Sequence, residues 1–353
     1  MRIIAVDIGV GTMDVMLIDT SKILENGTKL VLPSPAQLHR AAVLRAAKAR
    51  KNLYIDGDTV GGGPFASAVK AHISAGLKVK MTPGAAYSIR NDLSEVEALG
   101  IEIVDCIDAW DTDFLTLWLQ EVRLKEVLRF LSEYGENEQV DCVTIAVQDH
   151  GISPKGVSNR MTRIGRFETA LSENPYLEFL LYSENSVPDE FLRMRSAARR
   201  AHEELPDADV YVMDTSPAAV LGCLMDPCVQ DSEKVLAINF GNGHTLGVLL
   251  DGGVVLRGFE AHTRQFADAK LLKSYLCDLL KGKLSNERVF NDGGHGLFEV
   301  SQVPVEPDKI LVTGPRRSLM NELELGFRYA APAGDMMMTG PLGLYRALKS
   351  RFL

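Results

Sequence analysis

The sequence predicts an α/β protein built as two lobes of like design that face a common cleft. Three observations carry this. With Asp7 set over Asn239, residues 5–19 ("AVDIGVGTMDVMLID") and 237–253 ("AINFGNGHTLGVLLDGG") align without a gap. Ala5/Ala237, Gly9/Gly241, Gly11/Gly243, Leu17/Leu249 and Asp19/Asp251 then coincide, the signature of an internal repeat. The chain has 353 residues, enough for two packed domains. Between the copies the patterning switches repeatedly from period two to period 3.6.

Each copy reads as an apolar strand, a polar side chain, a G-x-G turn, a second alternating strand and an exit Asp. After Gly11, Met13, Val15 and Leu17 alternate with Asp14 and Met16, so a strand follows the glycines and not the helix of a dinucleotide fingerprint. Glycine lets the backbone approach an anion closely, and successive N–H groups at such a turn form a concave anion site. Two tips facing each other would grip phosphates from both sides.

In order along the chain, "PAQLHRAAVLRAAKARK" (35–51) predicts a basic, Ala-rich helix. Residues 52–76 predict a strand, the glycine-rich loop "GDTVGGGP" and a helix with Pro64 near its start, where proline is favoured. That loop either binds an anion or simply connects strand to helix. Residues 113–135 predict one long amphipathic helix, and 140–151 a buried strand ending in the polar tip "VQDHG". Residues 152–200 carry Lys155, Arg160, Arg163, Arg166, Arg193, Arg195, Arg199 and Arg200. This basic run reads as a contact for an acidic substrate or as a solvated helix face. A helix is expected over 266–284, with Leu271, Leu272, Tyr275 and Leu279 on one side, followed by a loop at 291–300 and a strand at 309–313. The expected lobes are 1–226, with a C-terminal helix at 335–353 returning to it, and 229–334.

The net charge of −9 argues against nucleic acid or an anionic membrane as partner, since both require a basic face. No run approaches the roughly 18 apolar residues of a membrane span. "MRIIAVDIGVG" carries an acid in its apolar run and no small-residue cleavage site, so it is read as a strand and not an export signal. Five scattered cysteines suit reduced thiols in a cytoplasmic protein.

Five segments together resemble the acetate and sugar kinase, Hsp70 and actin superfamily. "VDIGVGTMDVMLID" and "LAINFGNGHTLGVLLDGG" look like its two phosphate motifs, and "YVMDTSPAAVLGCL" (211–224) like its first connecting segment. "KILVTGPRRSLM" (309–320) looks like the adenosine motif and "GDMMMTGPLGLYRAL" (334–348) like the second connecting helix. The resemblance implies a two-domain actin-like ATPase (ribonuclease H-like) fold. "GDTVGGGP", "VQDHG" and "NFGNGHT" more closely resemble a prokaryotic domain-of-unknown-function family in that superfamily, sometimes labelled pyruvate formate-lyase activating. That label implies a C-x-x-x-C-x-x-C cluster loop, which this sequence lacks.

What the resemblance implies is an ATP- and Mg²⁺-dependent phosphotransferase or ATPase acting on a small molecule, acidic if the arginines contact it. Gly9, Gly11 and Thr12 would hold phosphates from one lobe, and Gly241, Asn242, Gly243, His244 and Thr245 from the other. Gly314 would lie under the purine, and Arg316 or Arg317 would stack on a base or contact phosphate. Asp7 would hold a Mg²⁺-bound water, and Asp214 would join the metal's outer shell or cap the helix after it. Asp149 is the expected base, with Gln148 and His150 beside it. Asn239, where many superfamily ATPases carry Asp, and "GPRR", where a second glycine is usual, leave two other readings open. These are a nucleotide-gated assembly protein and an enzyme using another phosphorylated ligand. His150, His244, His262 and His295 fall in small-residue loops. One or two of them are expected to donate hydrogen bonds to substrate or phosphate and the rest to be satisfied locally, with a shared transition metal as the alternative.

Overall fold

The structure, a computed structural model, describes residues 1–106, 113–229 and 233–353. The chain opens with β1 (Arg2–Ile8), β2 (Thr12–Asp19) and β3 (Thr28–Pro33), then α1 (Pro35–Lys48). An inserted segment follows: β4 (Asn52–Gly57), α2 (Gly62–Ser74), β5 (Val79–Met81), α3 (Pro83–Ala86), α4 (Leu93–Glu97), β6 (Ile101–Ile103) and β7 (Phe114–Leu119). The first lobe resumes with α5 (Leu124–Ser132), β8 (Cys142–Val147), α6 (Asn159–Glu173), β9 (Tyr182–Ser183), α7 (Leu192–Glu204), β10 (Asp209–Met213) and α8 (Thr215–Cys223). The second lobe holds β11 (Lys234–Phe240), β12 (His244–Asp251), β13 (Val254–His262), α9 (Ala269–Leu280) and α10 (Asn286–Asn291). It continues with β14 (Gly296–Glu299), β15 (Lys309–Thr313) and β16 (Arg328–Tyr329), and the chain ends in α11 (Thr339–Arg351).

The two main sheets run β3-β2-β1-β8-β10-β9 and β14-β13-β12-β11-β15-β16. In each, a central first strand has its antiparallel hairpin partner on one side and a parallel strand on the other. Both hairpins close with the same hydrogen bond, from Gly9 N to Thr12 O and from Gly241 N to His244 O, each 2.9 Å. This repeated topology makes the molecule a two-lobed actin-like, ribonuclease H-like α/β fold.

Period-two alternation splits β1 between two cores. Ile3 and Ala5 face a core shared with Val235 and Ala237 of β11 and with Val220, Leu221, Leu344 and Leu348 of α8 and α11. Ile4, Val6 and Ile8 face the opposite side, packed on α5 and α7. The helices α8 and α11 thus lie between the two sheets, and each fully buried aliphatic contributes roughly 1.5–3 kcal/mol. Their approach depends on glycine. A Cβ on Gly222 would overlap the Thr339 carbonyl, and one on Gly343 would overlap the Ala218 carbonyl.

Two expectations are corrected. The helix predicted over 113–135 is strand β7 followed by the shorter α5. Its C-terminal part alone has the helical stripe, with Leu124, Val127, Leu128 and Leu131 buried. The loop predicted at 291–300 contains β14, which pairs with β13. The insertion also forms a separate four-stranded parallel sheet, β6-β5-β4-β7, with its own core around Leu53, Ile55, Phe65 and Val69. Among the described residues no helix is long and apolar enough to cross a membrane.

Since α8 and α11 cannot separate without opening the shared core, Gly343→Ala is expected to cost about 1–3 kcal/mol, as overpacking does. Urea denaturation checks this; unchanged stability would mean the helices are not held this closely.

Candidate functional site

The C-terminal ends of β1 and β11 open into one cleft of about 750 Å³, lined by Gly9, Val10, Gly241, Asn242 and Gly243. The two tips meet across it. A Cβ on Gly11 would sit 2.5 Å from Asn242 Nδ2, and one on Gly243 would lie 3.5 Å from Val10 Cγ2. Glycine at 11 is what permits this approach. Thr245 does not line the cleft as expected; it is fully buried, its hydroxyl 3.0 Å from that of Thr263. Thr263 in turn donates to the Gly241 carbonyl at 2.8 Å, so the threonine pair braces the second tip. Thr12 sits at the end of the first tip, its hydroxyl 3.4 Å from Asp14 Oδ2.

Beneath the first tip lie two carboxylates. Asp7 and Asp14 are cross-strand neighbours, and Oδ1 of each is buried without a hydrogen-bond partner. Burial pushes Asp7 up to about 7 against the opposing effect of the Thr215 hydroxyl. Burial and the Asp7 charge push Asp14 up to about 8. Unpartnered buried oxygens of this kind suit a hard divalent cation, whose charge would replace the missing donors. Asp14 was not anticipated. Its signal was an acid inside an otherwise apolar strand.

Asp214 lies elsewhere in the hydrogen-bond network. Arg163 holds it with two bonds of 2.7 and 2.8 Å, and its Oδ1 caps α8 through Ser216 N at 3.0 Å. The same guanidinium reaches Glu260 Oε2 of the second lobe at 2.7 Å. All three residues are buried. Although burial opposes it, the Arg163 charge holds the Glu260 carboxyl well below its usual range. Arg163 is therefore committed within the protein and not presented to a ligand, and Glu260 is a site residue that sequence reasoning missed.

Asp149 accepts from Gly151 N at 2.8 Å on one oxygen, and from Arg193 N at 2.8 Å and Met194 N at 3.1 Å on the other. Burial raises its pKa. With both oxygens held by main-chain donors, Asp149 fixes the loop that places Gln148 and His150 at the cleft. Gln148 donates to Glu260 at 3.2 Å. Of the basic run, Arg160 and Arg193 line the cleft. Arg199 and Arg200 instead pair with Asp58 at 3.3 and 3.0 Å, anchoring the glycine-rich loop whose Gly61–Gly63 also line the cleft.

The adenosine-like turn keeps Gly314 at φ +91°, and a Cβ there would lie 2.6 Å from Asn239 Oδ1. Arg316 is exposed, while Arg317 stacks on Tyr329 at 5.2 Å. The four loop histidines converge. Ring centroids are 4.9 Å apart for His244 and His262, 4.6 Å for His244 and His295, and 5.2 Å for His150 and His295. Burial holds His244 down to about 3 and His150 well below its usual value, so both rings are neutral at pH 7.

The family model described as "Putative pyruvate format-lyase activating enzyme (DUF1786)" matches residues 60–319, and the chain belongs to that family. No curated protein sequence matches it. Among solved structures it is similar to a Listeria monocytogenes protein titled a "putative N-acetylmannosamine kinase", at 13% identity and TM-score 0.38, covering 99% of both chains. It is also similar to the activator of 2-hydroxyisocaproyl-CoA dehydratase from Clostridium difficile with bound ADPNP, at 9% identity and TM-score 0.35, covering 99% of this chain and 96% of the other. A third is a ROK family glucokinase from Streptomyces griseus in complex with glucose and AMPPNP, at 12% identity and TM-score 0.35, covering 99% of both. Likenesses this distant say nothing of substrate.

Removing Arg163 leaves two buried carboxylates uncompensated, so Arg163→Leu is expected to lose about 3–5 kcal/mol; denaturation reads the loss, and one under 1 kcal/mol would contradict the network. The Asp7–Asp14 pair gives a pH signature. A carboxyl raised in the fold contributes fully below its unfolded pKa and loses that contribution as pH rises through the folded value. Stability should therefore fall between pH 4 and 8, by roughly 1.4 kcal/mol per pH unit for each carboxyl protonated only in the fold. Asp14→Asn should flatten that fall in melting curves recorded without divalent cations.

Proposed function

We propose that this member of the DUF1786 family binds a nucleoside triphosphate with Mg²⁺ and acts as a phosphotransferase or ATPase on a small molecule in the cytoplasm. One observation carries the reading: two hairpins of matched register bring their glycine tips together in one cleft, above buried carboxylate oxygens that have no partner. Backbone N–H groups of Val10, Gly11, Asn242 and Gly243, those not spent closing the hairpins, would cradle the phosphates, with the Asn242 side chain reaching across. Asp7 and Asp14 would hold the cation, which when bound neutralises phosphate charge. The raised carboxyls lose their protons as the cation arrives, so binding tightens with pH.

Asp149 holds the loop, through three main-chain donors, and His150 is the group of that loop placed to orient an acceptor. Arg160, its guanidinium held to the Gly294 carbonyl at the cleft wall, suits an acidic acceptor, whereas Arg193 is paired with the buried Glu121. Radical S-adenosylmethionine chemistry, which the family's description suggests, has no cluster-binding cysteine triad in the sequence.

A thermal-shift series with ATP, ADP and Mg²⁺ tests this. Nucleotide at 100 times its dissociation constant adds about 2.7 kcal/mol, and Asp7→Asn should remove the Mg²⁺-dependent part of the shift. Should no nucleotide move the melting temperature, the reading is wrong. ATP consumption that needs an added metabolite pool would mark a phosphotransferase; consumption without one, an ATPase.

A further inference from the structure

At the second lobe's end of the cleft, three histidines from three different elements converge on one point. His244 begins β12, His262 ends β13 directly opposite it, and His295 precedes β14. The antiparallel register pairs the first two residues. A hydrogen bond of 2.8 Å from His295 N to Glu260 O fixes the third. One ring nitrogen from each lies within 4.8 Å of the other two. In a tetrahedral site with bonds of about 2.0–2.1 Å, ligand nitrogens lie roughly 3.3 Å apart, so small side-chain rotations close the set.

We propose that His244, His262 and His295 bind one first-row transition-metal ion of the Zn²⁺ class, with its remaining coordination position open to the cleft. Three imidazoles select such an ion over Mg²⁺, which prefers oxygen. The surroundings of the three rings support the assignment. His295 is 2% exposed. Its Nδ1 lies 3.3 Å from Glu260 Oε2, which leaves Nε2 for the ion and supplies the carboxylate that metal-bound histidines ordinarily have behind them. All three rings line the cleft, so an exogenous oxyanion, phosphate or carboxylate, can take the open position. The His150 ring, 5.2 Å from that of His295, stands beside it. One contact has to yield: a His262 ring nitrogen caps the short helix Thr263–Ala267, and the ion needs that ring released.

The assignment is independent of nucleotide, and so is its test. Full-length protein, stripped with chelator and kept nucleotide-free, is titrated with Zn²⁺ by calorimetry and with Co²⁺ by visible absorption. The expected result is one ion per chain and a Co²⁺ spectrum of low-coordinate nitrogen-rich type. His262→Gln and His295→Ala should each weaken binding about 100-fold or more, beyond what loss of an outer-shell partner costs. The exposed His202→Gln, at a residue paired with Glu184 and away from the cleft, should leave it unchanged. If the buried His295→Ala protein does not fold, the half-buried His244→Gln takes its place. Failure of the parent to bind a stoichiometric ion, or equal affinity in the folded histidine variants, would overturn the assignment.

Discussion

A guanidinium enclosed between two carboxylates from different lobes is the constraint on which the site depends. Arg163 spans from Asp214, at the head of the helix between the sheets, to Glu260, inside a strand of the second lobe. Neither carboxylate could remain ionised and buried without it, and the cation could not stay buried without both. The interaction is also geometric. Arg163 donates to the Asp149 carbonyl at 2.7 Å, and Asp214 accepts from Asp149 N at 3.1 Å. Glu260 takes Gln148 and lies against His295. One side chain thereby sets the position of the loop at 148–150 relative to the histidines facing it. Opening the lobes on this side would break charge-assisted bonds in a dry interior.

The repeated hairpins are alike in backbone and unlike in chemistry. The first carries Asp7 opposite Asp14 beneath its tip; the second carries Asn239 opposite Leu246 at the matching register. Acidic oxygen therefore collects under one tip, whereas imidazole collects beside the other, where His244 and His262 face each other. A single backbone device, closed by the same glycine-to-carbonyl hydrogen bond in each lobe, has been given two kinds of donor.

What could be read from the sequence follows from how local its physical cause is. The hairpins were legible because period-two alternation and a G-x-G turn are local, and the repeat reinforced them. The strand β7 was not, because Leu115, Leu117 and Trp118 are apolar at both parities and run on into the genuine helical stripe from Leu124. It lies at the edge of its sheet, with Trp118 59% exposed, so burial does not impose alternation on it. Arg163 read as one arginine in a helix face because its partners lie far along the chain. Asp149 and Asp214 stood out as polar side chains at strand tips, yet only coordinates show that main-chain donors and Arg163 already occupy their oxygens. The histidines were too widely spaced for any metal motif, and cross-strand pairing brought them together.

The two donor sets also decide what a cation can do in this cleft. Asp7 and Asp14 offer hard oxygen, which suits an ion that keeps its waters and bridges phosphates. The imidazoles of His244, His262 and His295 offer nitrogen, for which a hydrated Mg²⁺ ion has little reason to exchange its waters. Ions of the two kinds would therefore occupy opposite lobes and share only the ligand between them. An anion bound there would be drawn to both sides, with the Arg160 guanidinium beside it. The net charge of −9 would not keep the proposed polyanion out of the cleft, because that charge is solvated and screened over about 10 Å, while the carboxylates nearest the cleft are buried or already paired.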